Sequence, residues 1–195
     1  MKRIVPLIAM MAIAMSETTQ IMAQKKANEE SKKIEREIKK QERAEQDSIS
    51  NMERFNAAVL AIKNQSFVLE ANSIQPRNGQ LFLVNSSTNF VALHNGQAVV
   101  QIASNSPFPS PNGLGGITVQ GNASNIEIKE DDKGNVYLNM NVSGVVISAT
   151  VHLTLIKGDN NANVVVDPNF SGRDLRMNGV LLPYSLSNIF TGTSY

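Results

Sequence analysis

From Ser66 onward the apolar residues of this chain recur at every second position, and that period constrains the fold more than any other feature of the sequence. Phe67, Leu69 and Ala71 alternate with Val68, Glu70 and Asn72. Ala98, Val100 and Ile102 alternate with Gln97 and Gln101, and Ile126 and Ile128 with Glu127 and Lys129. Val136, Leu138, Met140 and Val142 alternate with Tyr137, Asn139 and Asn141. Ile147, Ala149, Val151, Leu153 and Leu155 alternate with Ser148, Thr150, His152 and Thr154, and Leu175, Met177 and Leu181 with Asp174, Arg176 and Asn178. Such runs are strands with one buried face. Arg77-Asn78-Gly79, His94-Asn95-Gly96, Asp132-Lys133-Gly134-Asn135 and Gly158-Asp159-Asn160-Asn161 separate them. Those turn residues accept positive φ cheaply and favour hairpins. The expectation is an all-β antiparallel meander of about eight to ten strands with one N-terminal helix, curled into a barrel-like or lipocalin-like structure. A two-sheet β-sandwich is the alternative.

Upstream the period is different. Ile49, Met52, Phe55, Val59 and Ile62 recur at three- and four-residue spacing, which predicts a helix ending near Asn64 with an apolar stripe against the sheet. Ser50-Asn51-Met52-Glu53 matches a capping box, and the helix either starts afresh at about Ser50 or continues the charged segment before it. Residues 24–48, QKKANEESKKIEREIKKQERAEQDS, contain neither Gly nor Pro and place Glu29 and Glu35 four residues before Lys33 and Lys39. Their apolar residues are few. The prediction for 24–49 is a charged, solvated helical or partly disordered segment, with the helix and barrel-like domain over 50–195.

At the N-terminus, Lys2 and Arg3 precede the apolar run IVPLIAMMAIAM (4–15), which is of signal-peptide length and too short to span a bilayer. Ile21-Met22-Ala23 before Gln24 fits a cleavage site, so residues 1–23 read as a signal peptide. The expected location is periplasmic or secreted, with no transmembrane span after processing. Cysteine is absent, which excludes a lipobox, disulfides, thiolate metal sites and a cysteine nucleophile. The domain after residue 50 is sparsely charged and holds 21 asparagines. It lacks the clustered Lys and Arg that phosphate contacts need, so a nucleic-acid partner is not expected.

Candidate chemistry is thin. Asn112-Gly113-Leu114-Gly115-Gly116, after SPFPSP (106–111), lacks the Lys-Ser/Thr of a phosphate loop, and Ile117-Thr118-Val119 after it reads as a strand. Its glycines suit a bulge or a close backbone approach. His94 falls at a hairpin turn and reads as a solvated turn residue. His152 lies on the polar side of a strand with Ser148, Thr150 and Thr154, without a nucleophile elbow. Asp159, Asn161 and Asn163 match the start of a calcium loop, but Val164 and Phe170 stand where Gly and Glu are required. Glu130-Asp131-Asp132 reads as a solvated turn. No catalytic, cofactor-binding or metal residues are assigned, and no cofactor is expected.

The strings FVLEANSIQPRNG (67–79), SSTNFVALHNGQAVVQIAS (86–104), NGLGGITVQG (112–121) and KGNVYLNMNVSG (133–144) resemble domain of unknown function family 4251, a family of exported bacterial proteins. The resemblance continues through ISATVHLTLI (147–156) to GRDLRMNGVLLP (172–183), covering roughly residues 50–190. It implies a signal peptide and a β-rich domain, and no activity. The leading functional expectation is a non-enzymatic binding module for a small apolar ligand or an envelope partner. A structural or interaction protein using the charged helix comes second and a hydrolase third. A hollow apolar interior favours the first, a packed interior the second, and a cleft with converging carboxylates the third.

Overall fold

A computed structural model of the chain describes residues 5–103, 115–144, 148–169 and 174–192. It divides into two compact units, Met1–Ser48 and Ile49–Tyr195. The helix α1 (Val5–Lys63) runs through the boundary without a break. Ser50 therefore caps no helix start, and of the two readings open at that serine the continuous helix holds. No Gly or Pro interrupts residues 24–64, so intrinsic propensity carries the helix straight through a serine that would otherwise favour a terminus. In the first unit every described side chain from Asn28 to Ser48 is exposed, as expected of a helix with no apolar face. No helix among the described residues is long and apolar enough to cross a membrane.

In the second unit α1 ends in a Schellman motif. The Ser66 N–H donates to the Ala61 carbonyl at 3.0 Å and the Gln65 N–H to the Ile62 carbonyl at 2.9 Å, with Gln65 at φ 51°. The last turns bury Phe55, Ala58, Ala61 and Ile62 in the core cluster, while Ile49 is 56% and Met52 37% exposed. The expected stripe thus holds at Phe55 and Ile62, is partly buried at Val59, and recruits two alanines that the spacing did not single out. Ile49 and Met52 lie too early along the helix to reach the core.

Nine strands follow: β1 (Phe67–Pro76), β2 (Phe82–Leu83), β3 (Phe90–His94), β4 (Gln97–Ile102), β5 (Ile117–Glu130), β6 (Val136–Gly144), β7 (Ser148–Leu155), β8 (Asn161–Pro168) and β9 (Leu175–Pro183). They form one antiparallel sheet in the order β2-β1-β3-β4-β5-β6-β7-β8-β9, and β1 also pairs with β9. That last pairing closes an eight-stranded barrel. The two-residue β2 is the extra strand: it continues the β3 edge of β1 where β3 has ended, with Ser73 opposite Leu83 and Ile74 opposite Phe82. The closed sheet replaces the sandwich alternative.

Two local devices allow the closure. The β1–β9 register slips between Ala71 and Ser73, opposite Gly179. A Cβ on Gly179 would lie 2.0 Å from the Glu70 carbonyl oxygen, so only glycine admits the close crossing there. The β3–β4 hairpin turns on Asn95 (φ 51°) and Gly96 (φ 74°), the two positive φ values that a primed two-residue turn requires.

The outer face of β1, β3 and β4 carries its own small cluster. Val68, Phe90 and Ala92 are buried there with Val99 and Ile189 against them. The chain after β9 makes a 3-10 turn (Tyr184–Leu186) and then hydrogen-bonds to this face. Glu70 Oε1 accepts from Ser187 Oγ at 2.7 Å and from the Asn188 N–H at 3.2 Å. Gln101 is fully buried and satisfied on all sides. Its Nε2 donates to the Thr88 and Phe190 carbonyls at 2.9 and 2.8 Å, and its Oε1 accepts from Thr118 Oγ1 and the Gly192 N–H, both at 2.8 Å.

A candidate ligand-binding cavity

The inward faces of the strands fill the barrel unequally. Where β1 begins, Phe67, Leu69, Leu93, Leu138, Leu153, Leu155 and Leu181 are all at most 1% exposed and share one cluster with Phe55 and Ile62 of α1. This end is packed solid and covered by the helix. Toward the other end, where β1 finishes, the inward residues shorten to Val100, Val119, Val142, Ala149 and Val166. Cross-strand pairing places Val100 opposite Val119, Val142 opposite Ala149, and Val166 opposite Leu175. These side chains are too short to meet across an eight-stranded barrel, whose bore is just wide enough for side chains to fill or for one small ligand.

The result is a cavity of about 790 Å³. Ile102, Ile117, Pro168 and Leu175 extend its apolar wall, and Pro76, Arg77, Asn78 and Asp174 stand at its rim. Ile117 is 48% exposed although it lies opposite Ile102 on the inner face, so the cavity communicates with solvent. The volume falls in the range of small-molecule sites, about 300–1,000 Å³. Asp174 is the sole carboxylate among the described lining residues, so no converging pair of acids stands there.

A second, smaller recess of about 180 Å³ adjoins the rim and is lined by Gln75, Pro76, Arg77, Gly79, Asp174 and Arg176. It shares Pro76, Arg77 and Asp174 with the cavity. The two meet at the β1–β9 seam, where Pro76 pairs with Leu175 and Gln75 with Arg176.

The residues weighed from sequence lie elsewhere. His94 is not a solvated turn residue: its Nδ1 is 2.9 Å from Ser66 Oγ, and its ring stacks on Tyr184 with centroids 4.2 Å apart and planes within 7°. The turn brings it beneath the segment after β9, which no local pattern announces. His152 is exposed on the outer face, with Nδ1 2.7 Å from Asn139 Oδ1. Asp159 closes its own turn, accepting from the Asn161 N–H and from Asn161 Nδ2, both at 2.7 Å, while Asn163 Nδ2 donates to Asn178 Oδ1 across β8–β9. Asp131 accepts from Asn135 through side chain and backbone, from Tyr137 Oη and from the Lys133 N–H. The Asn135 bonds lead in holding its pKa below the usual carboxylate value. No three metal-ligating side chains group together among the described residues. In the glycine-rich string, a Cβ on Gly116 would lie 1.9 Å from the Ile102 carbonyl oxygen, the close backbone approach expected of it. SPFPSP and Asn112, Gly113 and Leu114 lie outside the described residues.

Sequence reasoning named several cavity residues as strand positions without seeing that they surround a space. It passed over β8, although Ala162, Val164 and Val166 alternate with Asn163, Val165 and Asp167. The turn in front of that strand resembles a calcium loop, and the alternation behind it is the signal that places Val166 and Pro168 on a strand.

Comparison with known proteins places this geometry in a family. The model for "Domain of unknown function (DUF4251)" matches residues 50–181. The chain is also similar to a DUF4251 family protein from Bacteroides eggerthii, whose crystal structure was determined at 1.95 Å resolution. The two are 44% identical with a TM-score of 0.64, over 76% of this chain and 99% of that one. No curated protein matches.

Proposed function

This chain belongs to the DUF4251 family, and we propose that its barrel is a non-enzymatic binding module, exported to the periplasm or beyond, that holds a small apolar ligand. The cavity carries the reading. An apolar wall around about 790 Å³ of space open to solvent leaves unmade the contacts that a filled interior would have. A ligand that enters recovers them.

The test is titration with a solvatochromic hydrophobic dye, repeated on Ala149→Trp. The indole would occupy the space between Val142 and Pro168, which flank Ala149 across the strands. Saturable one-to-one binding that this change abolishes, with the melting temperature kept, supports the reading. Dye binding equal in both proteins would sink it.

The basic Lys2 and Arg3 and the apolar run 4–15 support export. Intact mass of protein recovered from the periplasm or medium is expected to give a chain starting at Gln24. A start before Ser16 would overturn that cleavage site.

A further inference from the structure

We infer that the ligand is a single-chain amphiphile with an anionic head, its tail in the cavity and its head in the recess at the β1–β9 seam. This rests on the binding-module reading and adds the chemistry of the ligand.

Two neighbouring spaces of opposite character share one rim. The larger is walled by Val, Ile, Ala, Leu and Pro side chains. Among its described lining residues the polar side chains are Arg77, Asn78 and Asp174. A uniformly apolar ligand would leave the recess unused, and a polar one would lose its hydration inside the wall without replacement. A molecule apolar along its length and polar at one end satisfies both.

The sign of the head follows from the recess. Among the described residues, two arginines, Arg77 and Arg176, and one carboxylate, Asp174, line the recess. A guanidinium presents several N–H donors in a planar fork that matches a carboxylate or a phosphate. An anionic head therefore meets a net positive site with directed donors. Among the described lining residues a cationic head would find one carboxylate, Asp174, with two like charges beside it. The seam geometry explains how one molecule reaches both spaces: Leu175 lines the cavity while Arg176, the next residue, lines the recess. One ligand passing over the rim at Pro76 touches both.

The experiment is displacement of the bound dye from the full chain by dodecanoate, dodecanol and dodecylammonium, each below its micelle-forming concentration. The tail is constant and only the head varies. Dodecanoate is expected to bind about tenfold tighter than dodecanol, the effect of charge-assisted hydrogen bonds from two exposed arginines. Dodecylammonium is expected to bind weakest. Shortening dodecanoate to decanoate should weaken binding by about fourfold for each methylene removed. In Arg77→Gln/Arg176→Gln the preference for dodecanoate should fall to about twofold or less. An unchanged melting temperature of that variant shows that its fold is intact. Asp174→Asn should strengthen dodecanoate binding.

The outcomes separate the two claims. Equal affinities for the three heads, or a dodecanoate preference that survives the arginine changes, overturn the anionic-head assignment while leaving the binding module standing. Failure of all three probes to displace a dye that binds in the cavity overturns the amphiphile assignment alone, and dye binding that Ala149→Trp leaves unchanged overturns both.

Discussion

The two halves of the barrel interior share one alternation of inward and outward residues, yet one is solid and the other hollow. The half under α1 presents Phe67, Leu69, Leu93, Leu138, Leu153 and Leu155, and α1 adds Phe55 and Ile62. The half around the cavity presents Val100, Val119, Val142, Ala149 and Val166. Pattern decides which face points inward, and side-chain length decides whether that face closes the space. The β-branched residues suit strands in either half, so local preference and global fold agree while a void remains. Stability should reside in the first half and ligand capture in the second.

The largest expected effect tests that division directly. Phe55→Ala removes a nearly buried ring from the solid half and should destabilise the domain by about 3 kcal/mol, at the lower end for aromatic truncation in a core. Urea denaturation measures it. Dye binding per folded molecule should hold steady, because Phe55 is not a cavity residue. A variant with an unchanged midpoint would show that the helix is dispensable, and the contrast between the halves would lose one side.

Next in size is a change outside both halves. Gln101→Leu strips donors from the Thr88 and Phe190 carbonyls and the acceptor from Thr118 Oγ1 and the Gly192 N–H. Leaving such groups unpaired should cost about 2 kcal/mol. Since Gln101 points away from the bore, denaturant midpoint should fall with dye affinity unaltered. A parallel loss of affinity would mean that the outer cluster, and not side-chain length alone, shapes the cavity.

A matched pair sharpens the comparison further. Ala98 is fully buried opposite Leu93 in the solid half, and Ala149 faces the cavity. Ala98→Leu should overpack and cost about 2 kcal/mol, whereas Ala149→Leu should stay within about 1 kcal/mol of the parent. Thermal melts of the two variants decide it. Equal losses would show that the hollow half has no room to yield.

The sequence carried β1, β4, β5, β6, β7 and β9, the turns, the burial of Phe55 and the family, because each depends on a period, a dipeptide or a string readable within a dozen residues. Barrel closure was legible only as one of two options, since alternation is the same in a sandwich and nothing local specifies that β1 meets β9. The buried Gln101 was hidden for the same reason. Its position on the polar side of β4 reads as solvated until the segment after β9, some ninety residues later, is laid over it. The cavity was legible in part: valine and alanine at 100, 119, 142, 149 and 166 are short, but shortness becomes a void only when these positions are brought to one end of one barrel. Arg77, Asp174 and Arg176 converge only through the β1–β9 register, so no motif spacing announces them.

The smallest predicted effect lies at the covered end of the barrel, where α1 hands over to β1. Gln65 sits at the C′ position with φ 51°, a conformation that places the Cβ of an L-residue close to its own backbone and is disfavoured by roughly 1–2 kcal/mol relative to glycine. The Schellman bonds from Gln65 and Ser66 to Ile62 and Ala61 require that conformation, so the strain is held by the motif and cannot relax without breaking it. Gln65→Gly removes the strain but adds freedom to the unfolded chain, which offsets about half of the gain. The net stabilisation should be below about 1 kcal/mol, visible as a small upward shift of the denaturant midpoint. Ligand capture at the far end should not change. A loss of stability instead would mean that the Gln65 side chain holds the covered end closed, and that the solid half depends on its lid as well as on its leucines.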